Sequence, residues 1–324
     1  MIDFCILGAG ISGSTIANLL KKKYSVLVVD KAKGVGGRAS NKKINKKISF
    51  DHGLQYFTAR NNLFKNYLNK LIKKRVLKEW HGNHIDFTFD HPKNRKKIIG
   101  VKGNNDLNKF LLKGINTELD NEITRIIFNG KNWKIIGKRR DYYAKSLIVS
   151  FPYYQAIKLA RKYLSKKISK LNVKMEPNIT LLLEQKSNKE VPFSSLRLNN
   201  KIIAWIANEN SKNRFSSSAI YWTIQSSIKF SKKIINVYKK DKIFYSNQMI
   251  KEFVKIFNIK NKLKLIKIHG WKFSYSRFNT GVNCFWNQKF NIGVCGDWFI
   301  GPNAESAWLS ANNLFNEINK NPPK

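Results

Sequence analysis

The chain has 324 residues, 42% of them hydrophobic and 13% aromatic. That is enough apolar side chain for a sizeable core in one large or two medium domains, which excludes wholesale disorder. No apolar run approaches the roughly 18 residues of a bilayer span, and Cys5, Cys284 and Cys295 supply neither a disulfide framework nor a Cys-x-x-Cys pair.

Lysine and arginine number 61 against 20 acids, a net charge of +41, which raises nucleic acid or an anionic membrane surface as a partner. Composition offers a competing reading. Lysine supplies 50 of the cations and arginine 11, with Asn and Ile also abundant, the mark of an A+T-rich coding bias. The lysines run the whole length of the chain, so bias is favoured over dedicated nucleic-acid binding. No basic segment followed by a long apolar one opens the chain, so the cytoplasm is the expected location.

Residues 2–7 read as a buried strand, 12–23 as a helix and 25–30 as a second buried strand, followed by a glycine-rich basic loop over 31–40. Helices are expected at 61–72 and 104–112. Residues 122–128 and 133–137 flank Asn129-Gly130 as a hairpin, and a strand over 146–151 stops at Pro152. From about 166 to 270 short strands (179–184, 202–207, 220–225, 263–268) and helices (228–238, 247–257) predict a separate mixed α+β domain. A buried strand at 290–295 and a helix at 304–318 close the chain.

Gly8-Ala9-Gly10-Ile11-Ser12-Gly13 is a G-x-G-x-x-G between strand and helix. Gly8 serves the tight turn, Gly10 the approach of a pyrophosphate, and Gly13 the packing of helix on strand. Asp30, 20 residues after Gly10, ends the second strand where a carboxylate can take both ribose hydroxyls. Gly36-Gly37-Arg38 offers a guanidinium fork to the pyrophosphate. Asp297, after Gly296 at a strand end, can hold a ribityl hydroxyl, and the amides of the helix from Ala304 can face the edge of a reduced flavin. Together these favour FAD over NAD. No second glycine fingerprint exists, so a nicotinamide substrate must lie directly against the flavin.

These motifs, with 50–57, 101–111, 150–154, 203–208, Arg214, 222–225 and 269–271, resemble the renalase-like branch of the FAD-dependent amine-oxidase superfamily over nearly the whole chain. The resemblance implies an α/β fold: a discontinuous Rossmann-type FAD-binding domain (1–58, 97–165, 275–324) and a mixed α+β substrate domain (59–96, 166–274). It implies hydride transfer from an off-pathway dihydronicotinamide to the flavin, and then electrons to oxygen. On the same ground Ile11, Ser12, Lys31, His52, Gly53, Ile123, Glu305, Ser306 and Ala307 join the cofactor site. Gln55, His269 and Trp271 are expected at the chemistry, and Tyr56, Trp205, Asn208, Arg214 and Trp222 around the substrate. Gly270, Lys272, Asn303 and Phe230 depart from the branch's pattern on the substrate side, which leaves the substrate open.

The alternatives are a flavin amine oxidase or desaturase, a flavin-binding protein without turnover, and a basic nucleic-acid-binding protein on a Rossmann scaffold. His81, His84 and His91 with Asp86 and Asp90 share no helix face, and no metal site is expected there.

Overall fold

A computed structural model describes residues 1–88, 95–187, 191–259, 262–277 and 279–324. Among these residues the larger sheet runs Phe285–Asn287, Ile292–Val294, Tyr142–Val149, Ile2–Leu7, Val26–Val29 and Asn116–Glu118. Ile2–Leu7 lies parallel to both its neighbours. Its Phe4 to Leu7 stretch is buried on both faces, which is why it reads as a continuous apolar run without alternation. Leu7 stands opposite both Val29 and Val149, and Val149 opposite Val294. Four strands therefore end level, at Gly8, Asp30, Ser150 and Cys295. The chain leaves the first strand to one side through the helix Ile11–Leu20 and returns on its other side at Tyr142–Val149. Such a reversal of strand order opens a crevice at the carboxyl ends.

The first helix packs Ile16 and Leu20 against Ala311, Leu314 and Ile318 of the closing helix Ala304–Lys320. It ends at Leu20, before the predicted residue 23. Lys21 to Lys23 turn the chain, so that Tyr24 meets Phe4 with ring centroids 4.9 Å apart. The hairpin pairs Ile123–Phe128 with Trp133–Gly137 as its Asn-Gly turn requires, with Gly130 at φ +97°. Past Pro152 an unanticipated helix, Tyr153–Ala160, begins. Proline stands at the helix entrance, where no N–H is needed.

The second sheet runs Leu263–Ser276, Met175–Lys186, Ala219–Ser226, Ile203–Asn208, Ser195–Arg197 and His84–Asp86, antiparallel except for the last pair. Helices Ile228–Ile234 and Lys242–Phe257 cover one face, burying Ile179, Leu181, Leu183, Trp222, Ile224 and Phe253. Alternate positions, among them Thr223, Gln225, His269 and Trp271, look toward the first domain. The second of those helices begins at Lys242, not at the expected residue 247, because the Asp241 carboxylate accepts the Phe244 N–H at 2.8 Å. Its first-turn residues Ile243 and Phe244 are exposed, which hides the helical period from a sequence reading.

A Cβ at Gly13 would lie 1.9 Å from the Gly8 carbonyl oxygen. Gly13→Ala therefore forces helix and strand apart. We expect a loss of about 1–3 kcal/mol or more, read as a lowered urea midpoint.

Candidate functional site

The glycine turn is open toward the crevice. Gly10 precedes the first helix in extended conformation with no side-chain cap, and the N–H groups of Ile11, Ser12 and Gly13 have no acceptor among the described residues. A Cβ on Gly10 would meet nothing within 4 Å, and one on Gly37 would meet the Gly10 Cα at 3.2 Å. Two glycine backbones thus face each other across a cradle that a side chain would fill. The positive helix end and its free amides suit an anion there.

From the cradle a chain of hydrogen bonds and ring contacts leads to the second sheet. The Leu54 N–H donates to the Arg38 carbonyl at 2.8 Å, and a Cβ on Gly53 would lie 2.1 Å from that same oxygen. Gln225 Nε2 donates to the Gly53 carbonyl at 2.7 Å, and Trp271 Nε1 to the His52 carbonyl at 2.9 Å. His52, His269 and Trp271 form one ring cluster, with centroids 4.4–5.2 Å apart. Strand alternation places His269 and Trp271 on one side. Burial and the neighbouring His269 and Lys267 lower the His52 pKa to about 3. Burial and Lys267 lower that of His269 to about 4. Both imidazoles are neutral at pH 7, and His52 Nδ1 is buried without a partner among the described residues.

Beyond the imidazoles stands an aromatic wall. Tyr56 lies 5.4 Å from Trp205 and 6.4 Å from Trp80. The Arg197 guanidinium sits 5.3 Å over Trp205 and donates to the Tyr56 hydroxyl at 3.4 Å, and Lys97 Nζ lies 5.3 Å over Tyr56. Trp205 Nε1 is a buried donor without an acceptor among the described residues.

The two ends of the chain meet at this crevice. Ser12 Oγ donates to the Ala307 carbonyl at 3.0 Å. Arg38 forks onto Asp297 at 2.6 and 2.7 Å and reaches the Ser274 carbonyl at 2.9 Å. Arg38 and Asp297 were expected to hold separate parts of a cofactor, and instead they hold each other. Asp30 likewise accepts from the Ala9 and Ala32 N–H groups at 2.7 and 2.8 Å, so each carboxylate oxygen already carries one bond. Lys31 is exposed just beyond it, and Ile123 packs at the rim of the first core.

Several expectations need correction. Trp222 faces the helices, packed on Phe193 and Phe253, with Nε1 on Gln185 at 2.8 Å. A shift of one residue along a strand reverses the face, and residue 222 falls on the wrong one for substrate. Glu305 accepts the Arg60 and Asn61 N–H groups at 2.8 and 2.6 Å, so it anchors the loop before Asn62–Lys73 and is turned from the crevice. The Ser306 N–H is capped by Asn303 Oδ1 at 2.7 Å and the Ala307 N–H by the Asn303 carbonyl at 3.3 Å. Of the amides of residues 304–307, those of Ala304 and Glu305 are left. Asn208 caps the following short helix, its Oδ1 accepting from the Asn210 N–H at 3.1 Å. His84 uses both ring nitrogens, on Ser195 Oγ and the Trp80 carbonyl. His91 and Asp90 lie outside the described residues.

Gln55 and Arg214 belong to a buried ionic network that the sequence reading missed. Asp51, Glu209, Lys212 and Arg214 have side chains 0–2% exposed. Lys212 Nζ donates to Asp51 at 3.0 Å, Glu209 at 2.9 Å and Gln55 at 3.4 Å. Arg214 joins Asp51, the Gly100 carbonyl and Asn104, while Gln55 Nε2 turns back on the Asp51 and Gly53 carbonyls. Arg214 is therefore spent on the protein and unavailable to substrate. Burial pushes the Asp51 carboxyl up, but Arg214, Lys212 and the Asn104 N–H outweigh it and hold it far below the usual range. Burial raises Glu209, and Lys212 offsets this in part. Nothing distinguishes Lys212 among 50 lysines. The one usable signal was Glu209 three residues before it, in a chain poor in acids.

Residues 6–71 match a family model described as an NAD(P)-binding Rossmann-like domain. A candidate protoporphyrinogen oxidase from Exiguobacterium sp. 255-15 superposes with a TM-score of 0.74 at 9% identity, over 98% of each chain. An oxidoreductase from Methanosarcina mazei gives 0.69 at 12% identity, over 97% of this chain and 100% of the other. A triple mutant of putrescine oxidase, redesigned in cofactor binding, gives 0.69 at 10% identity, over 98% and 99%. The chain has a Rossmann-type α/β fold. At these identities the likeness speaks for the fold alone.

The residues present fit a dinucleotide. The cradle of Gly10 and Gly37, the free amides at the first helix, and the unpartnered His52 Nδ1 are each short of a polar partner or a filled volume.

Removing one member of the buried network strands a charge. Lys212→Met is expected to cost about 3–5 kcal/mol in urea denaturation, and Lys212→Met with Glu209→Gln to recover part of it. The two histidines set a pH dependence. Their folded pKa values of about 3 and about 4 lie below the ordinary 6.5, so their contribution is complete above about 6.5 and drains away as pH falls toward the folded values. The urea midpoint should therefore decline below pH ~6.5, and His52→Asn should flatten that decline.

Proposed function

We propose that this chain is an FAD-dependent oxidoreductase that takes hydride from a reduced small molecule, a dihydronicotinamide as in renalase-type proteins, with oxygen as the final acceptor. The supporting observation is the open cradle between Gly10 and Gly37 with the unpaired amides of the first helix beside it, linked by contacts of Arg38 and Gly53 to the His52–His269–Trp271 cluster. Bound flavin supplies the redox chemistry, a two-electron acceptor at N5 that oxygen can regenerate. The amides of Ile11, Ser12 and Gly13 bind the pyrophosphate, and the glycine backbones give it room. Arg38 and Asp297, already locked together, present a rigid edge and not two floppy side chains. The Ala304 and Glu305 amides offer partial positive charge to a group that gains electrons. His52 and His269, kept neutral, can exchange hydrogen bonds at their ring nitrogens without adding charge.

The wall of Tyr56, Trp80 and Trp205 suits a planar donor. Lys97 and Arg197 over these rings disfavour an ammonium substrate, which argues for an anionic nicotinamide nucleotide over an amine.

Purified protein supplied with FAD should turn yellow, and Arg38→Ala should weaken flavin retention by about tenfold or more. Under anaerobic conditions a dihydronicotinamide isomer should bleach the colour, and air should restore it. A protein that takes up no FAD overturns the cofactor. Bleaching by amines alone overturns the substrate and selects the amine-oxidase reading.

A further inference from the structure

The entrance to the second helix packed on the second sheet, with the loop just before it, differs from the rest of the surface. Residues 239–244 read Lys-Lys-Asp-Lys-Ile-Phe, and all six are exposed. Ile243 is 70% exposed and Phe244 53%. Met1, Ile44, Leu63, Phe87, Tyr143 and Tyr154 are the other large apolar side chains exposed among the described residues, and no two of these are consecutive. Single exposed apolar residues are ordinary, and among the described residues this is the place where two large ones adjoin. Helix formation does not require it. Asp241 already caps the helix, and any polar residue would serve in the first turn.

The charge around the pair has one sign. Asp241, the one acid of the segment, is spent on the Phe244 N–H. No ion pair reaches Lys239, Lys240 or Lys242 among the described residues, whereas Lys232 nearby meets Glu176 at 2.9 Å. The cluster continues onto the neighbouring strand. Burial, with the Lys42 and Lys242 ammonium groups, lowers the pKa of Lys267, and Lys239 acts on His269 in the same sense.

We propose that this edge docks the protein onto an anionic lipid surface, with Ile243 and Phe244 entering the acyl boundary and Lys239, Lys240 and Lys242 meeting the headgroup phosphates. The aliphatic Ile243 gains nothing from a nucleobase face or a phosphate, and leaves water favourably only for an apolar medium. Arginine, the residue of bidentate phosphate recognition, is absent from the edge, and compact lysine charges suit a diffuse headgroup layer. No helix among the described residues is long and apolar enough to cross a membrane, so the contact is with the surface. The docking edge stands whether or not the crevice holds a flavin.

The test is flotation of the full chain with vesicles of phosphatidylcholine alone, or with about a third phosphatidylserine, at about 0.1 and about 0.5 M salt. Binding should require phosphatidylserine and weaken with salt. Ile243→Ser with Phe244→Ser should lower the affinity about tenfold or more. Reversing Lys239, Lys240 and Lys242 to Glu should lower it about a hundredfold or more, since each lysine near an anionic surface accounts for roughly fivefold. Circular dichroism verifies that each variant is folded. A control triple, Lys21, Lys22 and Lys23 to Glu, should bind within about threefold of the parent chain. Equal loss in the control would show generic attraction of a cationic protein and overturn the proposal. So would vesicle binding unchanged in both edge variants, or an edge that binds a single-stranded oligonucleotide while the parent chain ignores vesicles.

Discussion

Arg38 and Asp297 lie 259 residues apart in sequence and meet in a two-pronged pair at 2.6 and 2.7 Å. The pair fixes the two ends of the chain over the carboxyl edge of the first sheet. Asp297 follows a strand that ends level with the first one, and Arg38 follows the loop that crosses the glycine turn. Through the Ser274 carbonyl the same guanidinium also takes hold of the long outer strand of the second sheet. One charged contact thus ties the start of the chain, its end and the second domain at a single point. A side chain that was expected to serve a ligand serves first as the pin of the crevice.

A second constraint joins the domains from the other side. Asp51 sits at the end of Ser49–Asp51, and Glu209, Lys212 and Arg214 sit in the turn after Ile203–Asn208. Two carboxylates and two cations in contact, all excluded from water, balance one another. Such a group adds little net stability over an apolar core, but it tolerates no misalignment. It holds Asp51, just before residues 52–56, against the turn that follows Ile203–Asn208. His52 and Tyr56, in that stretch, lie beside His269 and Trp205.

The second sheet sorts its residues by parity. Even-numbered positions of Ala219–Ser226 face the helices, and odd-numbered ones face the first domain. Trp222 and Thr223 are neighbours in sequence and belong to different halves of the molecule. The resemblance implies a substrate role for the tryptophan, yet the pleat turns Thr223 and Gln225 to that face. His269 and Trp271, two apart, do share a face, and that much follows from strand periodicity alone.

Local chemistry made the first strand, the glycine turn, the first helix and the Asn-Gly hairpin readable, because each is specified by a few adjacent residues with a steric or hydrogen-bonding reason. The Rossmann-type fold followed from them. What the sequence could not determine is how each polar group is spent. Asp30, Glu305 and Arg38 have the right types for a cofactor, but backbone amides and a carboxylate reach them first. The roles of Arg214 and Lys212 depend on partners more than a hundred residues away. A charge is defined by what surrounds it, and burial of Lys212 beside Asp51 and Glu209 exists only once the turn after Ile203–Asn208 has packed on Asp51.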